Sequence, residues 1–276
     1  MGLLSIGRGD ESRSYSYIEK DAWPQQFPLH CSRHRQSPIN IVDSKTEVKF
    51  FGDLVYTNYE FPPVNLTATN NQQTLSLTVT SPRGLPLLSG GGLSGVYELT
   101  NVHFHWGRND SQGSEHTIDG KRFPLEMHLV HKKQGLTPNA FLNDQQGLAV
   151  LSILFQVSPN GNAALGPILN VFPAIISGGK SAVVPRASAL SALLPLNKQV
   201  FYRYRGSLTT PPCNQAVVWT VLAHTVPVST AQLSQFRKLS NLRGTNLMDN
   251  FRNTQPLNGR TIYKSLNRRS SRQQLD

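Results

Sequence analysis

The chain has 276 residues, enough for one large domain or two small ones. Its hydrophobic share is 38%, and no run of about 18 apolar residues occurs, which excludes a membrane-spanning helix. The net charge is +11, from 27 Lys and Arg against 16 Asp and Glu, yet few aromatics lie among the C-terminal charges and no nucleic-acid motif is present.

Residues 1–14 are polar, carry Gly, Ser and Arg, and read as a flexible segment. They open like an acylation signal, but Ile6 sits where Ser or Thr is needed, and the apolar core of a signal peptide is missing. Tyr15, Tyr17 and Trp23 begin the ordered region, which extends to residue 263. Residues 36–41, QSPINI, lead into a short strand. Asn65 and Asn109 each start an N-x-S/T glycosylation sequon. Residues 74–79 alternate and predict a strand, with Gly-rich and Pro-containing turns at 81–84 and 89–92. Residues 148–157 are continuously apolar, as in a central strand buried on both faces. Residues 163–175 predict a short helix interrupted by Pro167 and Pro173, and 217–222 another buried strand. Ser229 and Gln232 form a capping box, with Leu233 and Phe236 on one helical face.

From position 252 the basic residues Arg252, Arg260, Lys264, Arg268, Arg269 and Arg272 stand against Asp276 alone. Residues 264–276 therefore read as a basic tail, either simply solvated or in contact with an acidic polyanion. No repeat and no linker divides the chain. The expected fold is mainly β with some helix (α+β), a single domain with short helices at the edges of its sheet. Cys31 and Cys213 fit one long-range disulfide in an oxidising compartment, or two buried free thiols.

The chemistry concentrates in residues 101–106, NVHFHW. In a strand, side chains two apart share a face, so Asn101, His103 and His105 project one way while Val102, Phe104 and Trp106 project the other. A second run, 125–131, places Glu126, His128 and Val130 on one face. If the two strands are neighbours, His128 completes a three-histidine site. Three neutral imidazoles suit Zn2+ and leave its fourth position open.

Six blocks in order, QSPINI (36–41), HFHW (103–106), GSEHT (113–117), EMHLVH (126–131), SLTTPP (207–212) and QPLNGR (255–260), resemble the alpha-class carbonic anhydrases from about residue 15 to 263. The resemblance implies a large, twisted, mostly antiparallel central sheet and a zinc lyase that hydrates CO2 reversibly to bicarbonate and a proton through zinc-bound hydroxide. His103, His105 and His128 resemble the zinc ligands. Glu126 then holds His128, Asn101 replaces the family's Gln behind His103 on an arm one methylene shorter, and Asn250 offers a backbone carbonyl to His105. Thr209 resembles the gatekeeper that donates its proton to Glu115. Its backbone N–H holds a substrate oxygen. Val130, Val150, Leu208 and Trp219 resemble the apolar wall for CO2, and Thr210, Tyr17 and Asn71 the water network. Gln73 occupies the position where active members commonly carry a proton-shuttle histidine, so slowed proton release is expected. His116 and His131 read as structural.

The same resemblance implies a Cys31–Cys213 disulfide, as in secreted members, and a secreted protein whose leader is absent from this sequence. It also implies inhibition by sulfonamides and anions. The alternative function is a low-activity matrix or binding protein on the same fold. Its usual mark, a lost zinc histidine, is missing here.

Overall fold

The computed structural model describes residues 14–265, so nearly all of the N-terminal segment expected to be flexible and most of the expected basic tail lie outside the described residues. Among the described residues one sheet of thirteen strands dominates. Ten strands follow one another across it: Ser181–Val183, Asn65–Asn70, Leu75–Thr80, Tyr97–Trp106, Leu125–Lys133, Leu148–Val157, Val217–Leu222, Phe201–Gly206, Tyr263–Ser265 and Glu47–Lys49. Val226–Val228, Leu54–Thr57 and Leu87–Gly90 attach beside this path. Leu148–Val157 runs parallel to Val217–Leu222 and to Val226–Val228, and Tyr263–Ser265 runs parallel to Glu47–Lys49. The other pairs in the sheet are antiparallel.

The expected strands form where alternation or apolar runs predicted them. Leu148–Val157 is buried over its first eight residues, because other strands flank it and both its faces are covered. The interrupted helix is three separate turns, Ala163–Leu165, Gly166–Leu169 and Phe172–Ala174. Pro167 and Pro173 each sit near the start of a turn, where a missing N–H costs nothing. Ser229 caps Thr230–Phe236 with the full capping box, and Leu233 and Phe236 bury against the sheet.

Register decides which side chains meet. His103 lies opposite His128, and His128 opposite Ser152. One row away, Asn101, Val130, Val150, Trp219 and Tyr204 stand side by side across five strands. The intervening residues Val102, Phe104, Met127, Leu129, Leu151 and Ile153 face the other way into the larger core. A register shift between Leu99 and Asn101 lets Leu99 pack in that core while Asn101 stays on the histidine side.

Tyr263–Ser265 belongs to the sheet. Arg252, counted from sequence among the tail charges, is 1% exposed. Its Nη1 donates to Gln36 Oε1 at 2.8 Å and to the Ser37 carbonyl at 2.9 Å. Those acceptors and the Trp23 ring partner the buried guanidinium, while its Nε is left without a hydrogen bond. Lys264 pairs with Asp43 at 2.8 Å.

Cys31 and Cys213 are disulfide-bonded across 182 residues. The bond packs with Trp23, Phe27, Tyr15 and Tyr17 and pins the N-terminal segment to the loop after Thr209 and Thr210. Closing so long a loop restricts the unfolded chain. The double variant Cys31→Ser/Cys213→Ser is expected to lose about 2–4 kcal/mol in denaturant titration. An unchanged midpoint would show that the bond contributes nothing to stability.

Candidate metal centre

His103 and His105 come from Tyr97–Trp106, and His128 comes from its neighbour Leu125–Lys133. Period-two alternation and direct pairing bring the three rings together. His105 Nε2 lies 3.1 Å from His128 Nδ1, which lies 3.3 Å from His103 Nε2. Donors tetrahedrally arranged about 2.0–2.1 Å from zinc are about 3.4 Å apart, so the triad fits the ion.

The far nitrogen of each ring is engaged. His103 Nδ1–H donates to Asn101 Oδ1 at 2.8 Å, and Asn101 Nδ2 donates onward to Ser76 Oγ at 2.5 Å. The shorter amide arm therefore reaches. His105 Nδ1–H donates to the Asn250 carbonyl at 2.7 Å, and His128 Nε2–H to Glu126 Oε1 at 2.6 Å. A neutral imidazole with one N–H committed turns a lone pair inward from the other nitrogen. Burial keeps His103 well below its usual range, aided by His105 and His128, and burial also lowers His105. Both rings are thus held neutral, as metal binding requires.

Glu126 is fully buried and accepts five hydrogen bonds. Oε1 takes His128 Nε2, His116 Nδ1 and Ser152 Oγ, and Oε2 takes the backbone N–H groups of Glu115 and His116. Burial would raise its pKa, but the two histidines and their hydrogen bonds pull it well below the usual carboxylate range. His116, Glu126 and His128 are close enough to suggest a second metal cage. Their short contacts are instead hydrogen bonds to one carboxylate oxygen, and His116 Nε2 is paired with the Tyr204 hydroxyl at 2.7 Å. His131 sits on the opposite face against Tyr59 and the Ala149 carbonyl, and burial lowers it to about 4.

Glu115 is 0% exposed and carries one unmet acceptor. Oε1 accepts from the Arg252 backbone N–H at 2.7 Å. Oε2 has no hydrogen-bond partner and lies 3.5 Å from His105 Nε2. The expected hydrogen bond from Thr209 is thus not formed. The Arg252 amide fixes Oε1 and turns Oε2 toward the imidazoles. The loop carrying Glu115 can lie this close to the sheet because Gly113, at φ 155°, has no side chain; a Cβ there would run into the Pro124 carbonyl.

Val130, Val150, Leu208 and Trp219 form one apolar cluster beside the triad. The Trp219 ring meets His128 edge-on at 4.9 Å between centroids, held by its Nε1–H on the Ser207 carbonyl at 3.0 Å. Asn71 Oδ1 accepts the backbone N–H groups of Gln73 and Thr74. The Gln73 side chain donates to the Tyr15 carbonyl at 3.1 Å, and the Gln73 carbonyl accepts from Asn250 Nδ2 at 3.0 Å. Tyr17 packs on Tyr15 and Trp23, and burial raises its phenol well above the usual range. Burial pushes the Tyr15 phenol up to about 12, against the opposing pull of the nearby Thr210 side chain. Asn65 and Asn109 are exposed.

Sequence reasoning missed Ser152, Ser76, Tyr15 and Arg252. Ser152 left one signal, a lone hydroxyl in an apolar run. It also gave His116 no more than a structural part, whereas His116 shares Glu126 with His128.

A family model of eukaryotic-type carbonic anhydrases matches residues 18–266. Rabbit (Oryctolagus cuniculus) carbonic anhydrase 4 is 34% identical over 263 residues, which cover 92% of this chain and 82% of that protein. Mouse (Mus musculus) carbonic anhydrase 4 is 35% identical over 253 residues, 88% of this chain and 79% of its own. Human (Homo sapiens) carbonic anhydrase 12 is 33% identical over 261 residues, 89% of this chain and 70% of its own. With residues 18–266 matched and three imidazoles converging on one point, the chain belongs to the eukaryotic-type carbonic anhydrases, zinc enzymes that hydrate CO2.

Proposed function

We propose that His103, His105 and His128 hold the zinc ion of an active enzyme that interconverts CO2 with bicarbonate and a proton. The convergence of three lone-pair nitrogens, each backed by an acceptor on its far side, carries this reading. When bound, zinc supplies a nucleophile at neutral pH by lowering the pKa of water to about 7, a property for which carbonic anhydrases are themselves the standard example.

The residues around the triad have separable tasks. Val130, Val150, Leu208 and Trp219 offer CO2, which lacks charge and a dipole, an apolar seat. Glu115 Oε2 is a buried acceptor left open beside the triad, and we assign to it the proton of Thr209 Oγ1 in the working enzyme. A carboxylate only accepts, so Thr209 must donate to it and accept from the reacting oxygen. The backbone N–H of Thr209 then faces a substrate oxygen. Thr210, next in the chain to Thr209, stands near Tyr15. Sulfonamide-type and anion inhibitors are expected to compete here.

The disulfide fits an oxidising, extracytosolic location. No helix among the described residues is long and apolar enough to cross a membrane. Secretion and glycosylation at the exposed Asn65 and Asn109 belong to the same proposal. The polyanion contact rests on residues outside the described ones.

Proton release is the weak step. Asn71 and Gln73 do not titrate, and Tyr17 keeps its proton throughout the neutral range. The Gln73 amide is tied to Tyr15 and cannot carry a proton by gaining and losing it. A group of pKa about 7 that recaptures protons at ~10¹⁰ M⁻¹s⁻¹ releases them to water at only about 10³ s⁻¹. Carbonic anhydrase is itself the standard case of turnover near ~10⁶ s⁻¹, far above that limit.

His105→Ala is expected to abolish CO2 hydration and lower the zinc content of the purified protein. Normal zinc and activity in that variant would overturn the ligand assignment, and a full zinc load without turnover in the wild type would favour the binding-protein reading. In stopped-flow hydration assays kcat, but not kcat/KM, is expected to rise with buffer concentration and further with imidazole. Gln73→His is expected to raise kcat at low buffer. A high kcat indifferent to buffer would show another shuttle at work.

A further inference from the structure

Ser152 is a lone hydroxyl on a buried apolar face. Leu148, Val150 and Leu154, which share that face of Leu148–Val157, belong to the apolar cluster beside the triad. Ser152 is 0% exposed, and a hydroxyl so placed costs free energy unless it is bonded. It lies directly opposite His128 and one diagonal step from Glu126, which stands opposite Leu154. Its Oγ–H donates to Glu126 Oε1 at 2.7 Å, the same oxygen that takes His128 Nε2–H at 2.6 Å.

The donors that meet Glu126 have different roots. The Glu115 and His116 amides and the His116 ring are carried by residues 115 and 116, which lie outside the strands. The His116 ring also meets the Tyr204 hydroxyl, but its backbone stays in that loop. His128 is the ligand that Glu126 has to hold. Ser152 is thus the donor, besides His128 itself, that the large sheet supplies.

A carboxylate offers about four lone-pair sites. The two amides, His116 and His128 are already four donors. The charge of Glu126 is therefore satisfied without Ser152, and what the hydroxyl adds is direction. Without it, the oxygen that orients His128 is referred to a loop. With it, that oxygen is tied to the strands that carry His103, His105 and His128. A group referred to strands is placed more precisely than one referred to a loop.

We propose, on the zinc reading given above, that Ser152 is a positioning residue of the metal centre. Its hydroxyl ties Glu126 Oε1 to the sheet and so keeps the His128 Nδ1 lone pair aimed at the point where those of His103 and His105 meet.

Zinc retention is the direct measurement. Zinc-loaded wild type, Ser152→Ala and Ser152→Thr are mixed with excess dipicolinate and zinc release is followed. Ser152→Ala is expected to release the ion about tenfold faster than wild type, the lower end of what loss of such outer hydrogen bonds costs. Ser152→Thr keeps the hydroxyl and is expected to stay near wild type. The zinc-free wild type and Ser152→Ala are expected to melt together, because four donors still satisfy Glu126. Cobalt(II) loaded in place of zinc gives a second measurement that does not depend on the threonine variant folding. Its visible absorption bands report ligand geometry and are expected to shift in Ser152→Ala. Equal release rates and unshifted bands in wild type and Ser152→Ala would overturn the proposal. So would a folded Ser152→Thr that loses zinc as fast as Ser152→Ala, or faster release matched by a lower melting temperature of the zinc-free protein. Wild type that takes up no zinc would strike the ligand assignment itself, and this proposal with it.

Discussion

The buried carboxylate of Glu126 is the constraint on which the rest of the site depends. An ionised carboxylate without partners in a protein interior is strongly unfavourable. Glu126 escapes this through five donors drawn from three separate parts of the chain. His128 and Ser152 come from adjacent strands, and the Glu115 and His116 amides come from the loop that follows the His103 strand. Satisfying one charge therefore fixes the tautomer of His128, the course of residues 113–117 and the place of Glu115. Loss of any donor would loosen all three together.

The sheet turns this local demand into a constellation. With side chains alternating at period two, a one-residue slip between Tyr97–Trp106 and Leu125–Lys133 would send His128 to the opposite face and Leu129 toward the histidines. The two faces guard against that slip. One must bury Val102, Phe104, Met127 and Leu129 in the main core, and the other must keep Asn101, His103, Glu126 and His128 in contact with acceptors and donors. Both requirements are met in one register only. His128 uses Nδ1 toward the centre, while His103 and His105 use Nε2, because Glu126 sits two residues before His128 on the same face and claims its Nε2.

What could be read from the sequence was whatever rests on periodicity or on a short rigid motif. The histidine pair on 101–106, the central strand at 148–157, the capping box at Ser229 and the proline-broken turns near 167 and 173 are of this kind. Burial of charge was not legible. Arg252 looks like one more tail cation in sequence, yet it is buried on Gln36, Ser37 and Trp23, partners more than two hundred residues away. Arg203 and Arg205 both break the apolar pattern of their strand, yet Arg205 is exposed while Arg203 is buried between two buried tyrosines along the chain. The Thr209–Glu115 bond was expected from the motifs, but the Arg252 amide, which no motif announces, sets how the carboxylate lies.

The two carboxylates near the triad illustrate why saturation matters more than proximity. Glu126 contacts a ring nitrogen directly, at 2.6 Å, but its oxygens already carry three and two hydrogen bonds. It has little capacity to accept another and is held ionised by its histidine neighbours, so its role is to position. Glu115 is equally buried, yet holds one hydrogen bond and keeps Oε2 free. A free, buried acceptor 3.5 Å from His105 Nε2 can respond to whatever forms at the centre, where a saturated one cannot. Separating these tasks between two residues lets the site be rigid where Glu126 holds His128 and responsive where Glu115 lies beside His105.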